Sequence, residues 1–423
     1  MRLKKRNIAL FKKSPFNIIF ILLITLILCL TGCSGEAKGN EGGISETGRA
    51  NKEIFNKILP IPNVYTAKLN FTGDLMVHSY QYNESYDSST GSYEFDHNFE
   101  AVKKYFDSAN YTIGNLETVL GGDDIGPQDY PCFNTPDSFA EAAQRAGFDL
   151  FTTANNHCCD QGTAALIRTL DTLDSLNIAH VGTSRSQEER DKIVVKDING
   201  ITFAFLSYTY GTNGMPYENE YNVNLLNEQD IVSDIQKAKA LNPDFIVVMP
   251  HWGTEYQTQP NQNQRDIADI IFNAGVDIII GSHPHVLQPM EIREIQNSDG
   301  TTREGFIIYS MGNFISSQTT PPRNASIILN MDFKKVEGQK AEITKVSFVP
   351  IWTQFRNGNN VNDFVVRSVY DVLTDPEKET KYRAKDLSRV NDIHYETTSL
   401  LLNKNIALED IQDEYTFYER QAD

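Results

Sequence analysis

The residues able to do chemistry in this chain gather in five short segments, each following directly on an apolar run of strand length. They are Gly73-Asp74-Leu75-Met76-Val77-His78, Gly114-Asn115-Leu116-Glu117, Ala154-Asn155-Asn156-His157, Pro250-His251-Trp252-Gly253-Thr254-Glu255 and Gly281-Ser282-His283-Pro284-His285. Five of the eight histidines in the sequence (His78, His157, His251, His283 and His285) lie in these segments. One histidine after a strand is ordinarily a packing residue, but five of eight are hard to attribute to packing. The donors are imidazole, carboxylate and amide oxygen, with no thiolate unless Cys158 joins them. Such a set suits Zn, Mn or Fe rather than Ca and excludes a cysteine-rich structural zinc site. There are enough donors for two ions, which would clamp a displaced oxygen in a hydrolysis. In His283-Pro284-His285, alternate residues of an extended segment point the same way and the proline stiffens it, so both rings can reach one ion or two adjacent ones. Trp252 suits stacking on a substrate or packing in a wall. Glu255 suits a brace behind His251 or a plain surface carboxylate.

Converging these segments requires strands whose carboxyl ends share an edge. Apolar runs of four to eight residues predict strands at Lys68–Thr72, Thr112–Leu116, Leu150–Thr153, Ala179–Val181, Thr202–Tyr208, Phe245–Met249, Asp277–Ile280 and Phe306–Tyr309. Amphipathic stretches between them predict helices at Phe99–Ser108, Ser138–Ala146, Thr163–Leu176, Glu228–Leu241 and Gln262–Ala274. Strand–helix alternation of this kind makes an α/β fold, in which ligands bind outside the carboxyl ends of the strands. Ser326–Asp332 and Glu342–Val349, on either side of the polar stretch Lys334–Lys340, predict a hairpin. From about Asp363 the tail is charged and helical in pattern. The Gly-, Asp- and Pro-rich stretch Gly121–Pro136 is long enough for a lid or specificity loop.

The ends of the chain differ in character. Arg2 to Lys13 is basic, Phe16 to Leu30 is apolar, and Leu30-Thr31-Gly32-Cys33 follows. About 15 apolar residues are short for a membrane span and suit a secretion signal. The Leu-Thr-Gly-Cys ending resembles a lipobox, which implies lipidation at Cys33 and a body tethered outside the bacterial cytoplasmic membrane. Ser34 to Asn51 is Gly-, Glu- and Ser-rich and reads as a flexible spacer. The expected organisation is therefore a signal at 1–33, a linker at 34–59, one main domain at 60–350 and a C-terminal extension at 351–423. Net charge is −18. Residues 1–32 carry six of the 38 Lys and Arg and no acid, so the remainder holds 32 against 56, or −24. That balance argues against nucleic acid as a partner. Cys132, Cys158 and Cys159 are odd in number and read better as unpaired thiols, although Cys132 could bridge to one of the pair.

FTGDLMVH, GNLETVL, FNTPDSF, GFDLFTTANNHCCDQG, HWGTEY, GVDIIIGSHPHVLQP and IIYSMGNF follow one another over residues 66–318. In these motifs the chain resembles the capsule-synthesis family typified by CapA, tied to poly-gamma-glutamate production and similar to calcineurin-like metallophosphoesterases. The resemblance implies a two-sheet α/β/β/α sandwich with a helical tail and a dinuclear divalent-metal site. It implies an acidic polymer or phosphoester as substrate, and membrane-embedded capsule-synthesis subunits as partners. Carried over, Asp74 ligates the first metal, and Glu117, or Asn115 beside it, stands near the bridging position. Asn156, His251 and His283 hold the second metal, and His285 reaches back to the first. His157 becomes the acid for the leaving group, and Asn313 orients a loop or touches substrate. The sequence departs from the metallophosphoesterase pattern at several points. Asp74 and His78 are four apart where Asp-X-His is usual, Gly114-Asn115 replaces Gly-Asp, and Ser282 replaces a histidine. Besides metal-dependent hydrolysis in capsule synthesis, two readings stay open: a non-catalytic export or assembly component, and an extracellular phosphatase or nucleotidase. An acidic body is awkward for gripping an acidic polymer unless metal and local Lys or Arg offset its charge.

Overall fold

A computed structural model describes residues 62–297 and 300–421. The expected signal at 1–33, the lipidated Cys33 and the linker at 34–59 lie outside them. Pro62–Asp423 is one compact unit. Among the described residues no helix is long and apolar enough to cross a membrane.

In chain order the strands are β1 (Val64–Leu75), β2 (Tyr86–Asp87), β3 (Ser92–Tyr93), β4 (Tyr111–Leu116), β5 (Leu150–Thr152), β6 (Ala179–Val181), β7 (Val194–Ile198), β8 (Ile201–Thr209), β9 (Phe245–His251), β10 (Ile278–Ile280), β11 (Met290–Gln296), β12 (Thr302–Ile308), β13 (Asn313–Ile315), β14 (Ala325–Val336), β15 (Glu342–Arg356), β16 (Asn362–Ser368) and β17 (Tyr415–Glu419). Nine form one sheet in the order β16-β15-β14-β1-β4-β5-β6, with β13 beside β1 and β17 beside β15. Six form a second sheet, β11-β12-β10-β9-β8-β7, and β2-β3 is a small ribbon. The site-bearing strands β1, β4 and β5 are parallel, as are β8, β9, β10 and β12.

The two sheets pack face to face. Leu69, Phe71, Ile113, Leu329 and Met331 from the first meet Phe203, Phe205, Val247, Met249, Ile278 and Phe306 from the second. Alternate residues turn outward: Ala204, Leu206, Val248 and Ile279 pack under the helices Glu228–Ala240 and Gln262–Ala274. On the far face of the first sheet, Leu116, Phe151 and Val349 pack under Asp137–Ala146 and Leu173 of the helix Gly162–Ser175. Each site-bearing strand is thus buried on both faces, which is why these strands read as unbroken apolar runs. This is the α/β/β/α sandwich expected from the sequence.

Differences lie toward the edges. The helix expected at Phe99–Ser108 shrinks to Lys103–Phe106. Bonds from Val102 N to Phe99 O and from Tyr105 N to Val102 O wind the segment as tight turns, keeping Phe95, Phe99, Val102 and Phe106 in the core. The boundary drawn at 350 falls inside β15. Of the tail, Ala384–Leu402 is helical, but β16 and β17 both pair with β15. Val390 and Ile393 of that helix pack on Trp352 and Ala325.

Candidate metal centre

Asp74 closes β1, and His78 follows it after a short turn. Asn115 lies on β4 with Glu117 just beyond it, and Asn156 and His157 follow β5. His251 ends β9, and His283 and His285 follow β10. The two sheets therefore present the expected segments at one shared edge. Two features of the backbone make the approach possible. Gly73 lies against the Ser310–Asn313 turn so closely that a Cβ there would sit 1.8 Å from the Gly312 carbonyl oxygen, and Asp74 N donates to that same carbonyl at 2.9 Å. His283 and His285 stand at φ 95° and 58°, a region that non-glycine residues seldom adopt and that clusters at functional sites.

The side chains form one buried network. His285 Nδ1 lies 3.0 Å from Asp74 Oδ2, and Asn115 Nδ2 donates to Asp74 Oδ1 at 2.8 Å. Thr152 Oγ1 and Asn155 Nδ2 donate to Asn115 Oδ1 at 3.0 and 3.3 Å. Those bonds occupy the Asn115 oxygen, and its amide nitrogen braces Asp74 while lying 3.4 Å from His251 Nδ1 and Glu117 Oε2, so Glu117 is the one of the pair with an oxygen open to a cation. His251 Nε2 lies 2.7 Å from Asn156 Oδ1, and its Nδ1 lies 2.9 Å from Ser282 Oγ. Glu117 Oε1 is 3.4 Å from His251 Nε2 and 3.8 Å from His285 Nε2, yet accepts no hydrogen bond. His283 Nδ1 is likewise buried without a partner.

The donor set fits a divalent cation. Donor atoms of Glu117, His251 and His283, of Asp74, Glu117 and His285, and of Glu255, His283 and His285 each lie within 4.8 Å of one another. Two donors about 2 Å from one tetrahedral ion are roughly 3.4 Å apart, the spacing found between Glu117 and His251. Glu117 Oε1 and His283 Nδ1, buried in one cluster without hydrogen-bond partners, are donors that a bound cation would satisfy. The protonation pattern agrees. Burial, with the Asp74 charge, pushes the Glu117 carboxyl well above its usual range. Burial pushes His251 down to about 3. Asp74 is held low: burial opposes ionisation, but the hydrogen bond and charge of His285 outweigh it. Burial also opposes the charged form of His285, yet Glu117 and Asp74 lift it to about 9. Neutral His251 is ready to ligate, and a cation beside Glu117 and His285 would oppose protonation of both.

The remaining expected residues divide. His157 is buried, with Nδ1 2.7 Å from Asp160 Oδ2, and Asp160 also accepts from Phe133 N at 2.7 Å. The Phe133 ring stands edge-on between His78 and His157, so the Gly121–Pro136 segment packs into the site wall. His78 lies in that wall, its Nδ1 3.3 Å from both Ser317 N, from which it can accept, and Gln81 Oε1, outside the three donor groups. Trp252 is fully buried on the helix-covered face of the second sheet, with its indole N–H on the Tyr309 carbonyl, so it packs and does not face substrate. Glu255 is exposed and stands near His283 and His285 rather than behind His251; Ser282 braces His251 instead. Asn313 holds a loop, donating to Gln318 Oε1 and the Arg323 carbonyl. Cys132, Cys158 and Cys159 are free, the last two buried among Leu166, Leu170 and Val223.

Sequence reasoning missed Asp160 and Tyr210. Asp160 lies three residues after His157, the spacing of a local side-chain pair. Tyr210 follows β8 as the other site residues follow their strands, and its ring packs 4.6 Å from that of His283.

A family described as bacterial capsule synthesis protein PGA_cap matches residues 68–318. The capsule biosynthesis protein CapA of Bacillus anthracis is 29% identical over 62% of this chain and 63% of its own length. The PGA biosynthesis protein CapA of Bacillus subtilis (strain 168) is 30% identical over 66% of this chain and 70% of its own. The chain thus spans less than two thirds of the first of these relatives. Among solved structures, the NAD nucleotidase of Haemophilus influenzae has a TM-score of 0.44 at 12% identity, covering 80% of this chain and 57% of its own. The calcineurin-like phosphoesterase YfkN of Bacillus subtilis has a TM-score of 0.38 at 14% identity, covering 80% of this chain and 98% of its own.

Proposed function

Because the chain belongs to the bacterial capsule synthesis protein family PGA_cap, we propose that it serves in making a poly-gamma-glutamate capsule, as a metal-dependent hydrolase. The reading rests on one observation above all: a buried cluster of Asp74, Glu117, His251, His283 and His285 whose Glu117 Oε1 and His283 Nδ1 have no partner.

In this reading Asp74, Glu117 and His285 would hold one divalent ion, and His251 and His283, with Asn156 or Glu117, a second. Imidazole with carboxylate favours Mn, Zn or Fe. A divalent metal bound there would supply Lewis-acid polarisation of a phosphoester or amide and a more acidic water. The chain's own residues do the rest. Asn115 and Ser282 fix Asp74 and His251 in their orientations. His157, held at Nδ1 by Asp160, gives a proton to the leaving group from its other nitrogen. We also propose that lipid at Cys33 tethers the body to the outer face of the cytoplasmic membrane, near membrane-embedded subunits that make the polymer.

The test is capsule yield in cells whose only copy carries both Asp74→Ala and His283→Ala. The reading expects the polymer to be lost or altered in length while the protein still accumulates. Unchanged yield and length would sink the enzymatic reading in favour of a non-catalytic assembly role.

A further inference from the structure

One cation beside the metal centre is uncommitted. Arg145, Arg168, Arg185, Arg190, Arg293 and Arg383 each grip a carboxylate at 2.5–2.8 Å. Among the described residues Arg323 makes no ion pair and no side-chain hydrogen bond; its guanidinium lies 3.5 Å from the centroid of the Tyr256 ring. That ring in turn is 6.1 Å from the ring of His285.

Both members of this stack are tied to strand ends that carry the candidate ligands. Tyr256 stands at φ 67°, a conformation that a bulky aromatic residue adopts only under constraint. The constraint is its N–H, which donates at 2.8 Å to the carbonyl of Pro284, between His283 and His285. The Arg323 carbonyl accepts from Asn313 Nδ2 at 3.0 Å, and Asn313 is the register partner of Asp74. With its guanidinium carbon over the Tyr256 ring, Arg323 has no side-chain acceptor for its N–H groups among the described residues, and a guanidinium fork matches a carboxylate or phosphate in two-point contact.

We propose that Arg323, laid on Tyr256, is the anion-receiving subsite of this centre and takes a carboxylate of the acidic polymer next to the bond being processed. The proposal rests on the polymer reading given above. It also supplies the local positive charge that an acidic body needs in order to hold an acidic chain.

The test is calorimetric binding to the Mn-loaded full-length protein of three probes: tri-γ-glutamate, its uncharged tri-amide, and phenyl phosphate. Metal content is measured on every variant. Arg323→Met should weaken tri-γ-glutamate about 10- to 100-fold and flatten the salt dependence, with bound metal and tri-amide binding unchanged. Arg323→Lys should fall between, and Tyr256→Leu should follow Arg323→Met. If the wild type binds phenyl phosphate but not tri-γ-glutamate, and Arg323→Met weakens it, the subsite stands and the polymer reading falls. If the wild type binds tri-γ-glutamate and neither Arg323→Met nor Tyr256→Leu weakens it, the subsite is overturned and the polymer reading survives. Binding of neither anion by the wild type contradicts both.

Discussion

Glu117 Oε1 stands 3.4 Å from His251 Nε2, buried, with no hydrogen bond reaching it. Its other oxygen, Oε2, takes only a 3.4 Å contact from Asn115 Nδ2, and the proposed ion would give Oε1 a partner. Burial, with the Asp74 charge, pushes the Glu117 carboxyl well above its usual range, so the near-isosteric Glu117→Gln removes a charge that the site disfavours without metal. Metal-free stability should change by less than about 1 kcal/mol. The rise in melting temperature on adding Mn should largely disappear, because stabilisation by a ligand follows its affinity for the folded state. Thermal melts with and without Mn check both halves, and an undiminished Mn-induced shift counts against Glu117 as a ligand.

Asp160 Oδ2 takes both His157 Nδ1 and Phe133 N at 2.7 Å, and His157 is its one titratable partner in the site. Asp160→Asn leaves a hydrogen-bonding group but no charge to fix the tautomer. The expected result is a kcat lowered about 10- to 100-fold with KM and metal content unchanged. Steady-state kinetics on an aryl phosphate with Mn, beside metal analysis, is the measurement. Loss of metal in parallel with activity would mean that Asp160 supports the ligands and not the acid.

Gly73 carries the tightest backbone approach at the site. A Cβ there would meet the Gly312 carbonyl oxygen at 1.8 Å, and a backbone oxygen cannot swing aside as a side-chain tip can. Gly73→Ala should cost about 3 kcal/mol in urea unfolding and should move Asp74 away from His285, reducing metal affinity as well. A variant as stable as wild type would show that the turn Ser310–Asn313 can retreat freely.

Lys335 on β14 reaches Asp244 at the head of β9 at 2.8 Å and so pins one sheet to the other. Burial raises the Asp244 pKa, but the Lys335 and Thr202 hydrogen bonds outweigh it and hold the carboxyl below its usual value. A lowered folded-state pKa means stability that is present above the unfolded value and lost as pH falls through the folded one. Lys335→Met should therefore cost about 1 kcal/mol at pH 7, and its deficit against wild type should narrow below about pH 4. Urea titrations at the two pH values test this; a deficit of constant size would assign the effect to lost packing.

Much of the site was legible because its strands are central. A strand buried on both faces, such as β9 or β10, has to be a short apolar run, and the polar residue that follows it has to sit at the sheet edge. That logic located Asp74, Asn156, His251, His283 and His285. It could not choose between Asn115 and Glu117, two residues apart. That choice depends on Thr152 and Asn155 occupying the Asn115 oxygen, a contact across strands. The indole of Trp252 was equally ambiguous, since only the fold decides which face of the strand it leaves by. At the chain end, β16 has only three apolar residues in a row and β17 only one buried residue, and both gain their identity by pairing with β15, β17 from beyond the helix Ala384–Leu402, so a local pattern could not reveal them. Arg323 and Tyr256 lie 67 residues apart and have no motif in common.

The central claim is that the cluster around Glu117 holds divalent metal. Elemental analysis of the full-length protein, purified without chelator, tests it most directly, alongside the variant carrying both Asp74→Ala and His283→Ala. The account predicts close to two equivalents of Mn, Zn or Fe per wild-type chain and almost none in the variant. A wild-type protein without stoichiometric metal after incubation with each of these ions, or a variant that retains as much as wild type, would contradict it.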